Sequence, residues 1–237
     1  MSEPDPLGPQ LPLALRYPPD QCFDTWLDAT ASGIVVRLQA VAGGESGDPL
    51  YLQGANGSGK THLLLATCAE AEAAGRRAQY LSLAHARGKM RDALEGLEQA
   101  DLIALDDIDA VAGCRDDEIA LFDLHNRLHD AGVGFVYAAS QVPAILPVEL
   151  PDLRSRLAQC TLVALVTLDD EGRAEVLRRR AASRGLAFDE AALDWLLTRC
   201  SRDLADLATL FERLDRASLA AQRRITVPFL RQVLGSG

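Results

Sequence analysis

The sequence predicts an α/β fold: a parallel five-stranded sheet covered by helices on both faces, followed by a small α-helical domain. Three observations predict it. Short apolar runs alternate with helical periods between residues 50 and 166, the pattern of a parallel sheet buried on both sides. The first run, Leu50-Tyr51-Leu52, leads into Gly54-Ala55-Asn56-Gly57-Ser58-Gly59-Lys60-Thr61 and then a helix. That stretch fits the phosphate-binding pattern G-x-x-x-x-G-K-[ST] with no substitution. From Asp169 onward strand signals cease and helical periods remain.

Taken in order, residues 1–19 read as a flexible leader. Met1–Pro9 is proline-rich and acidic. Gln10-Leu11-Pro12-Leu13-Ala14-Leu15 spaces leucines two apart among prolines, so it is extended rather than helical. Such a peptide either docks in another protein's groove or packs on its own domain. Asp20–Leu27 carries Phe23, Trp26 and Leu27 at helical spacing, and Gly33–Ala42 carries Ile34, Val35, Leu38 and Val41. Both are expected to be core helices ahead of the first strand.

A nucleotide-binding domain is expected over residues 20–166. A loop that wraps phosphates needs inward-facing backbone N–H groups and glycines free to take left-handed torsions, a role assigned to Gly54, Gly57 and Gly59. Lys60 is expected on the β/γ-phosphates and the Thr61 hydroxyl on Mg²⁺. The following helix runs to about Ala74. Ala78–Leu83 is the second strand, Arg87–Leu97 a short helix, and Leu102–Leu105 the third strand, ending in Asp106-Asp107. Ligands of parallel sheets sit at the carboxyl ends of the strands. Four apolar residues followed by an acid is how phosphate-loop ATPases hold Mg²⁺, which assigns Asp106 to the metal. Asp107 is placed to orient or deprotonate the attacking water.

Asp116–Ala131 is a helix, and Gly134–Ala139 and Leu162–Val166 are the last two strands. Ser140-Gln141 closes the fourth strand at the same edge, as a γ-phosphate contact or a plain turn. Leu150–Leu157 puts Arg154 and Arg156 before the fifth strand. An arginine there either points into a neighbouring subunit's nucleotide site or pairs with a surface acid. The helical domain is expected over residues 167–237, with helices Asp169–Arg184, Asp189–Arg199, Asp203–Gln222 and Pro228–Leu234. Asp169, Asp189 and Thr226 are expected N-caps. Its arginines are expected mostly to face water; Arg202 is singled out as an exception, since it begins a helix placed to lie over the nucleotide. His125 and His129 have metal-like spacing but no third ligand, so they read as a helix face.

Composition narrows the function classes. The chain is 48% hydrophobic and 24% charged, as soluble globular proteins are. No apolar run reaches the ~18 residues of a membrane span. Residues 1–166 hold 12 Lys and Arg against 23 Asp and Glu, a balance of −11, and residues 167–237 a balance of +1; the acidic body argues against non-specific DNA binding. Five scattered cysteines (22, 68, 114, 160 and 200) read as reduced thiols in a cytoplasmic protein.

The loop Gly59-Lys60-Thr61-His62-Leu63-Leu64, the strand end Asp106-Asp107-Ile108 and the run Leu150-Pro151-Asp152-Leu153-Arg154-Ser155-Arg156-Leu157 carry a resemblance. So do Leu214-Asp215-Arg216-Ala217-Ser218 and Thr226-Val227-Pro228-Phe229. Together they resemble the AAA+ module of the bacterial replication initiator DnaA, and most of all the shorter regulatory branch of that family, Hda. The similarity covers nearly the whole chain from Gln10. It implies a nucleotide-bound adaptor, loaded with ADP or ATP and Mg²⁺, that binds the DNA polymerase sliding clamp through Gln10, Leu11, Leu13 and Leu15. It also implies that the adaptor stimulates ATP hydrolysis on DnaA, preventing re-initiation, with Arg156 as the arginine finger and Arg202 as the lid arginine of the second sensor. DNA is then reached only through the clamp, since no basic helix-turn-helix follows the helical domain. Self-association of the chain is a further partner expectation. Two positions depart from the initiator pattern. Gln141 stands where the family has an acid at the first sensor, and Asp152 where initiators carry another arginine, a loss the regulatory branch shares. The alternative is an ATPase in its own right, such as a helicase loader or single-domain initiator. The acidic body and 5% aromatic content speak against a single-strand binder.

Overall fold

The structure is a computed structural model describing residues 17, 20–28, 32–186, 188–199, 210, 213–218 and 224–235. Five strands form one parallel sheet: β1 Leu50–Gln53, β2 Ala78–Ser82, β3 Leu102–Asp106, β4 Gly134–Ala139 and β5 Thr161–Ala164. Their order is β2-β3-β4-β1-β5. β1 is therefore interior, with Leu50 opposite both Val136 and Thr161. Every residue of β3 and β4 is buried, as their unbroken apolar runs require.

Side chains alternate across the sheet and build two cores. On one face Leu52, Ala104 and Val136 pack with Ile34 and Leu38 of helix α1 (Ile34–Gly43) and Leu63 and Leu64 of helix α2 (Lys60–Ala73). On the other, Tyr51, Leu105 and Tyr137 pack with Leu121 and Leu124 of a long helix, Arg115–Ala131, and Leu153 of a shorter one, Pro151–Gln159.

Two segments differ from the helical reading. Residues 20–27 hold only a 3₁₀ turn, Phe23–Thr25, after which Trp26 is extended (φ −71°, ψ 137°). The apolar spacing there serves packing rather than a helix: Phe23 and Trp26 are half-buried against the α1/α2 core. The expected helix 87–97 breaks into α3 (Met90–Ala93) and a 3₁₀ turn, Leu97–Gln99. Gly88 and Gly96 bound it at φ +77° and +75°, outside helical torsions. With α3 placed, Arg115–Ala131 is α4 and Pro151–Gln159 is α5.

The helical lid has α6 (Asp170–Ser183), α7 (Glu190–Arg199) and a last helix, Val227–Leu234; residues 213–218 are also helical. The Asp169 carboxylate caps α6 by accepting from the Gly172 N–H at 2.8 Å, and Thr226 Oγ1 accepts from Phe229 N–H at 3.5 Å. Ala192, Leu196, Leu214, Ile225 and Leu230 form its core. An isolated parallel bridge, Phe188 to Ile225, is the one strand-like pairing in the described part of the lid. No helix of the described residues is long and apolar enough to cross a membrane.

Candidate functional site

The loop between β1 and α2 reverses the chain so that α2 begins at Lys60 with its N-terminus open toward the carboxyl edge of the sheet. Gly57 and Gly59 adopt the left-handed torsions the loop needs, at φ +79° and +91°. Gly54 does not share them, so its assigned torsional role is corrected. A Cβ there would lie 2.4 Å from Ser58 Oγ and 3.0 Å from the Leu165 carbonyl, so glycine is required for close approach to the chain leaving β5. A Cβ on Gly59 would meet the Trp26 ring at 2.5 Å.

Around this loop lies a cavity of about 260 Å³ lined by Gln21, Asn56, Gly57, Gly59, Lys60, Thr61, His62, Asp106, Asp107 and Arg180. The buried Lys60 reaches back across the loop, donating from Nζ to the carbonyls of Gly54 (2.7 Å) and Ala55 (3.1 Å). Thr61 Oγ1 donates to Asp106 Oδ2 at 2.5 Å, and Tyr80 Oη donates to the same oxygen at 3.2 Å. The Asp107 N–H donates to Asp106 Oδ1 at 2.9 Å. Asp106 is 2% exposed, and burial raises its carboxyl pKa against the lowering hydrogen bond from Thr61. Among the described residues no group of three or more His, Cys, Asp or Glu side chains could hold a metal. Thr61 and Asp106 thus fit Mg²⁺ in the form that shares its coordination with phosphates, not a protein-only cage.

Asp107 turns back at φ +58°, the only non-glycine among the described residues with positive φ. Its Oδ2 accepts from Ser82 Oγ, at the end of β2, at 2.6 Å. Neither Ser140 nor Gln141 lines this cavity. The Ser140 hydroxyl and N–H both donate to Asp109, at 2.6 and 2.8 Å. Gln141 is exposed, and its carbonyl accepts from Tyr51 Oη at 2.8 Å. The turn alternative for this pair therefore describes the geometry better than the phosphate contact.

A second, apolar cleft opens beside the cavity, with Trp26, Leu27, Leu165, Leu168 and Val176 in its walls. Gly59, His62 and Arg180 line both. His62 stacks on Trp26, with ring centroids 5.9 Å apart. Its Nε2 lies 3.1 Å from the Cys22 carbonyl and its Nδ1 3.1 Å from Arg180 Nη2. Burial, and then the Arg180 charge, push the His62 pKa down to about 4. The neutral ring therefore donates to Cys22 through Nε2 and accepts from Arg180 through Nδ1.

Two lid arginines depart from the expectation that most of them face water. Arg180 and Arg184, one turn apart on or just after α6, are both buried against Asp20, itself fully buried. Arg184 Nη2 donates to Asp20 Oδ1, and Arg180 Nε stands 3.9 Å from Oδ2. The available sequence signal was helical phase. Arg180 and Arg184 fall on the same face as buried Val176, Leu177 and Ala181.

Arg156, on α5, is partly exposed and lines neither cavity. Arg154 donates from Nη2 to the Val148 carbonyl. Glu118, in the first turn of α4, is fully buried. It accepts from the N–H groups of Gly113, Glu149 and Leu150, fixing the start of α5 against α4. Gln10, Leu11, Leu13, Leu15 and Arg202 lie outside the described residues.

Comparison with known proteins follows the same division of the chain. Residues 20–164 match the family model described as the bacterial DnaA ATPase domain, and residues 170–234 match the one described as the Hda lid domain. Domain III of the Thermotoga maritima replication initiation protein DnaA is similar at 20% identity and a TM-score of 0.71, over 92% of this chain and 97% of that one. AMPPCP-bound DnaA from Aquifex aeolicus is similar at 22% identity and a TM-score of 0.63, over 86% of this chain and 67% of that one. Thermotoga maritima RuvB, a Holliday junction branch migration motor, is similar at 19% identity and a TM-score of 0.60, over 90% of this chain and 71% of that one.

Proposed function

Because the chain belongs to the family of the bacterial DnaA ATPase domain and carries an Hda lid domain, we propose that it is a nucleotide-bound regulatory adaptor of DNA replication. In this reading it binds the DNA polymerase sliding clamp and stimulates ATP hydrolysis on DnaA, which prevents re-initiation. The observation that carries the reading is a separation. Lys60, Thr61, Asp106 and Asp107 converge on one cavity, while Arg156 stands partly exposed on α5 outside it. An arginine so placed serves a nucleotide held by another molecule, DnaA or a second copy of this chain.

The chain's own nucleotide is ADP or ATP. The loop N–H groups with Lys60 take the terminal phosphates. Thr61 and Asp106 hold Mg²⁺, which when bound neutralises phosphate charge. Arg202 is the lid's second-sensor arginine. Gln10, Leu11, Leu13 and Leu15 anchor the clamp, and DNA is reached only through it.

The complete set of Thr61, Asp106 and Asp107 at the cavity favours a second reading, ATP hydrolysis by the chain itself. One experiment addresses both: ATP turnover by the chain alone, then by DnaA with clamp-loaded DNA. Arg156→Ala is expected to end stimulation of DnaA while leaving ADP and clamp binding intact. A trans-acting arginine is worth ~10³–10⁵ in rate in the best-studied GTPase case. Leu11→Ala with Leu13→Ala is expected to lose clamp binding alone. Wild-type stimulation by Arg156→Ala sinks the adaptor mechanism. Turnover by the chain alone at a rate DnaA does not alter establishes the second reading.

A further inference from the structure

Glu118 is a fully buried carboxylate that lines neither the polar cavity nor the apolar cleft, so it offers nothing to a ligand there. Burying a carboxylate is costly unless donors surround it. Its two oxygens accept from the N–H groups of Gly113 at 3.1 Å, Glu149 at 3.0 and 3.1 Å, and Leu150 at 2.7 Å. These donors belong to two loops. Gly113 ends the segment that leaves Asp107, and the same segment is tied to the end of β4, where Ser140 donates to Asp109. Glu149 and Leu150 lead into α5. Leu150 stands at the N-cap of α5 without a side chain that can cap, and Pro151 follows without an N–H. The buried Leu153 and Leu157 press this helix onto the core, but apolar contact is non-directional. Register along the core therefore falls to the hydrogen bonds at the helix entry. Arg156 follows about 9 Å further along the axis.

We propose that Glu118 is the positioning residue of α5: by joining the loop that leaves the cavity's acids to the loop that enters the helix, it sets where Arg156 is presented to a partner's nucleotide. This rests on the adaptor reading above and adds the device that holds its arginine in place. An arginine that acts on another molecule's phosphoryl group works only where it is placed, and a misplacement of about 1 Å costs up to about a hundredfold in rate. The molecule also holds a reporter of that place. His125 lies on the same helix as Glu118. Burial first, then the charges of Arg156 and His129, push its pKa down to about 4. If α5 shifts, the Arg156 charge moves away and His125 titrates at a higher pH. Loss of the Glu118 charge by itself acts in the opposite direction, so the sign separates the two.

The test pairs two measurements on the full chain: stimulation of ATP hydrolysis on DnaA with clamp-loaded DNA, and the NMR titration of His125. Glu118→Ala is expected to lower stimulation roughly ten- to a hundredfold, with ADP affinity unchanged within about twofold. Glu118→Gln keeps one acceptor oxygen and is expected to lose less; it carries the comparison if Glu118→Ala does not fold. In both variants His125 is expected to titrate at a higher pH, as in Arg156→Ala. Glu118→Ala combined with Arg156→Ala is expected to raise it no further than Arg156→Ala alone. Wild-type stimulation by the folded variants overturns the proposal. So does lost stimulation with the His125 titration unmoved or moved down, since Glu118 then serves stability alone. Failure of the wild-type chain to stimulate DnaA removes the adaptor reading, and the His125 titrations still decide whether Glu118 holds Arg156 in place.

Discussion

The carboxyl end of β3 and the junction of residues 20–28 with α6 each bury an aspartate, and they satisfy it by opposite means. Asp106 is surrounded by neutral donors: two hydroxyls and one backbone N–H. Asp20 is placed between two guanidiniums. Neutral donors leave a carboxylate its charge to offer, and desolvation then makes a cation welcome. Guanidiniums consume that charge, so the carboxylate becomes a fastener. What surrounds a buried acid therefore separates the ligand-facing aspartate from the structural one, although Asp106 lines the cavity and Asp20 adjoins another of its lining residues, Gln21.

That contrast fails first if Asp20 is dispensable. Asp20→Ala leaves two buried cations without their carboxylate and is expected to cost ~3–5 kcal/mol, measured by denaturant unfolding. A loss under about 1 kcal/mol would place the cluster among ornamental ion pairs.

Asp106→Asn sharpens the contrast from the other side. It removes a desolvated charge and keeps the shape, so stability is expected to stay within about 1 kcal/mol of wild type. Affinity for ATP in the presence of Mg²⁺ is expected to fall, with little change when Mg²⁺ is withheld. Calorimetry with and without the metal reads both. A large stability loss with no Mg²⁺ effect makes Asp106 the fastener instead.

The smallest effect concerns a buried base far from either acid. His125, 4% exposed, accepts or donates at Nδ1 to Tyr137 Oη at 3.1 Å. Burial first, then the charges of Arg156 and His129, push its pKa down to about 4. Its ordinary value is 6.5, so between these limits the unfolded chain binds more protons and stability falls as pH is lowered from about 6.5 toward 4. Arg156→Ala removes one cause and is expected to flatten that fall by a few tenths of a kcal/mol, seen in melting curves across the range. An unchanged pH dependence shows that Arg156 does not reach the core electrostatically.

The sequence made the Asp106 side of this comparison legible and hid the Asp20 side. The phosphate loop and the strand end are contiguous motifs whose chemistry is set by local spacing, so Lys60, Thr61, Asp106 and Asp107 can be read and placed together. Asp20 meets Arg184 only after the lid folds back on the segment before β1, and no local pattern records such a meeting. Trp26 shows the same limit. Its helical spacing with Phe23 is real, yet an extended backbone delivers the ring onto Gly59 and His62. The strands were legible because full burial demands continuous apolar runs, while residues 87–97 misled because two glycines outweigh an apolar period.

The strand order carries a consequence for how the molecule comes into being. β1 carries the phosphate loop, yet both of its neighbours, β4 and β5, are encoded well after it, Leu50 pairing with Val136 and Thr161. Such long-range pairings are slow, because the intervening chain must be closed before contact repays it. During synthesis β1 has neither neighbour until Ala139 has emerged, and its second edge stays open until Ala164 has. The nucleotide cradle is thus among the last parts to be completed, and nucleotide can reward only a chain that has almost finished folding.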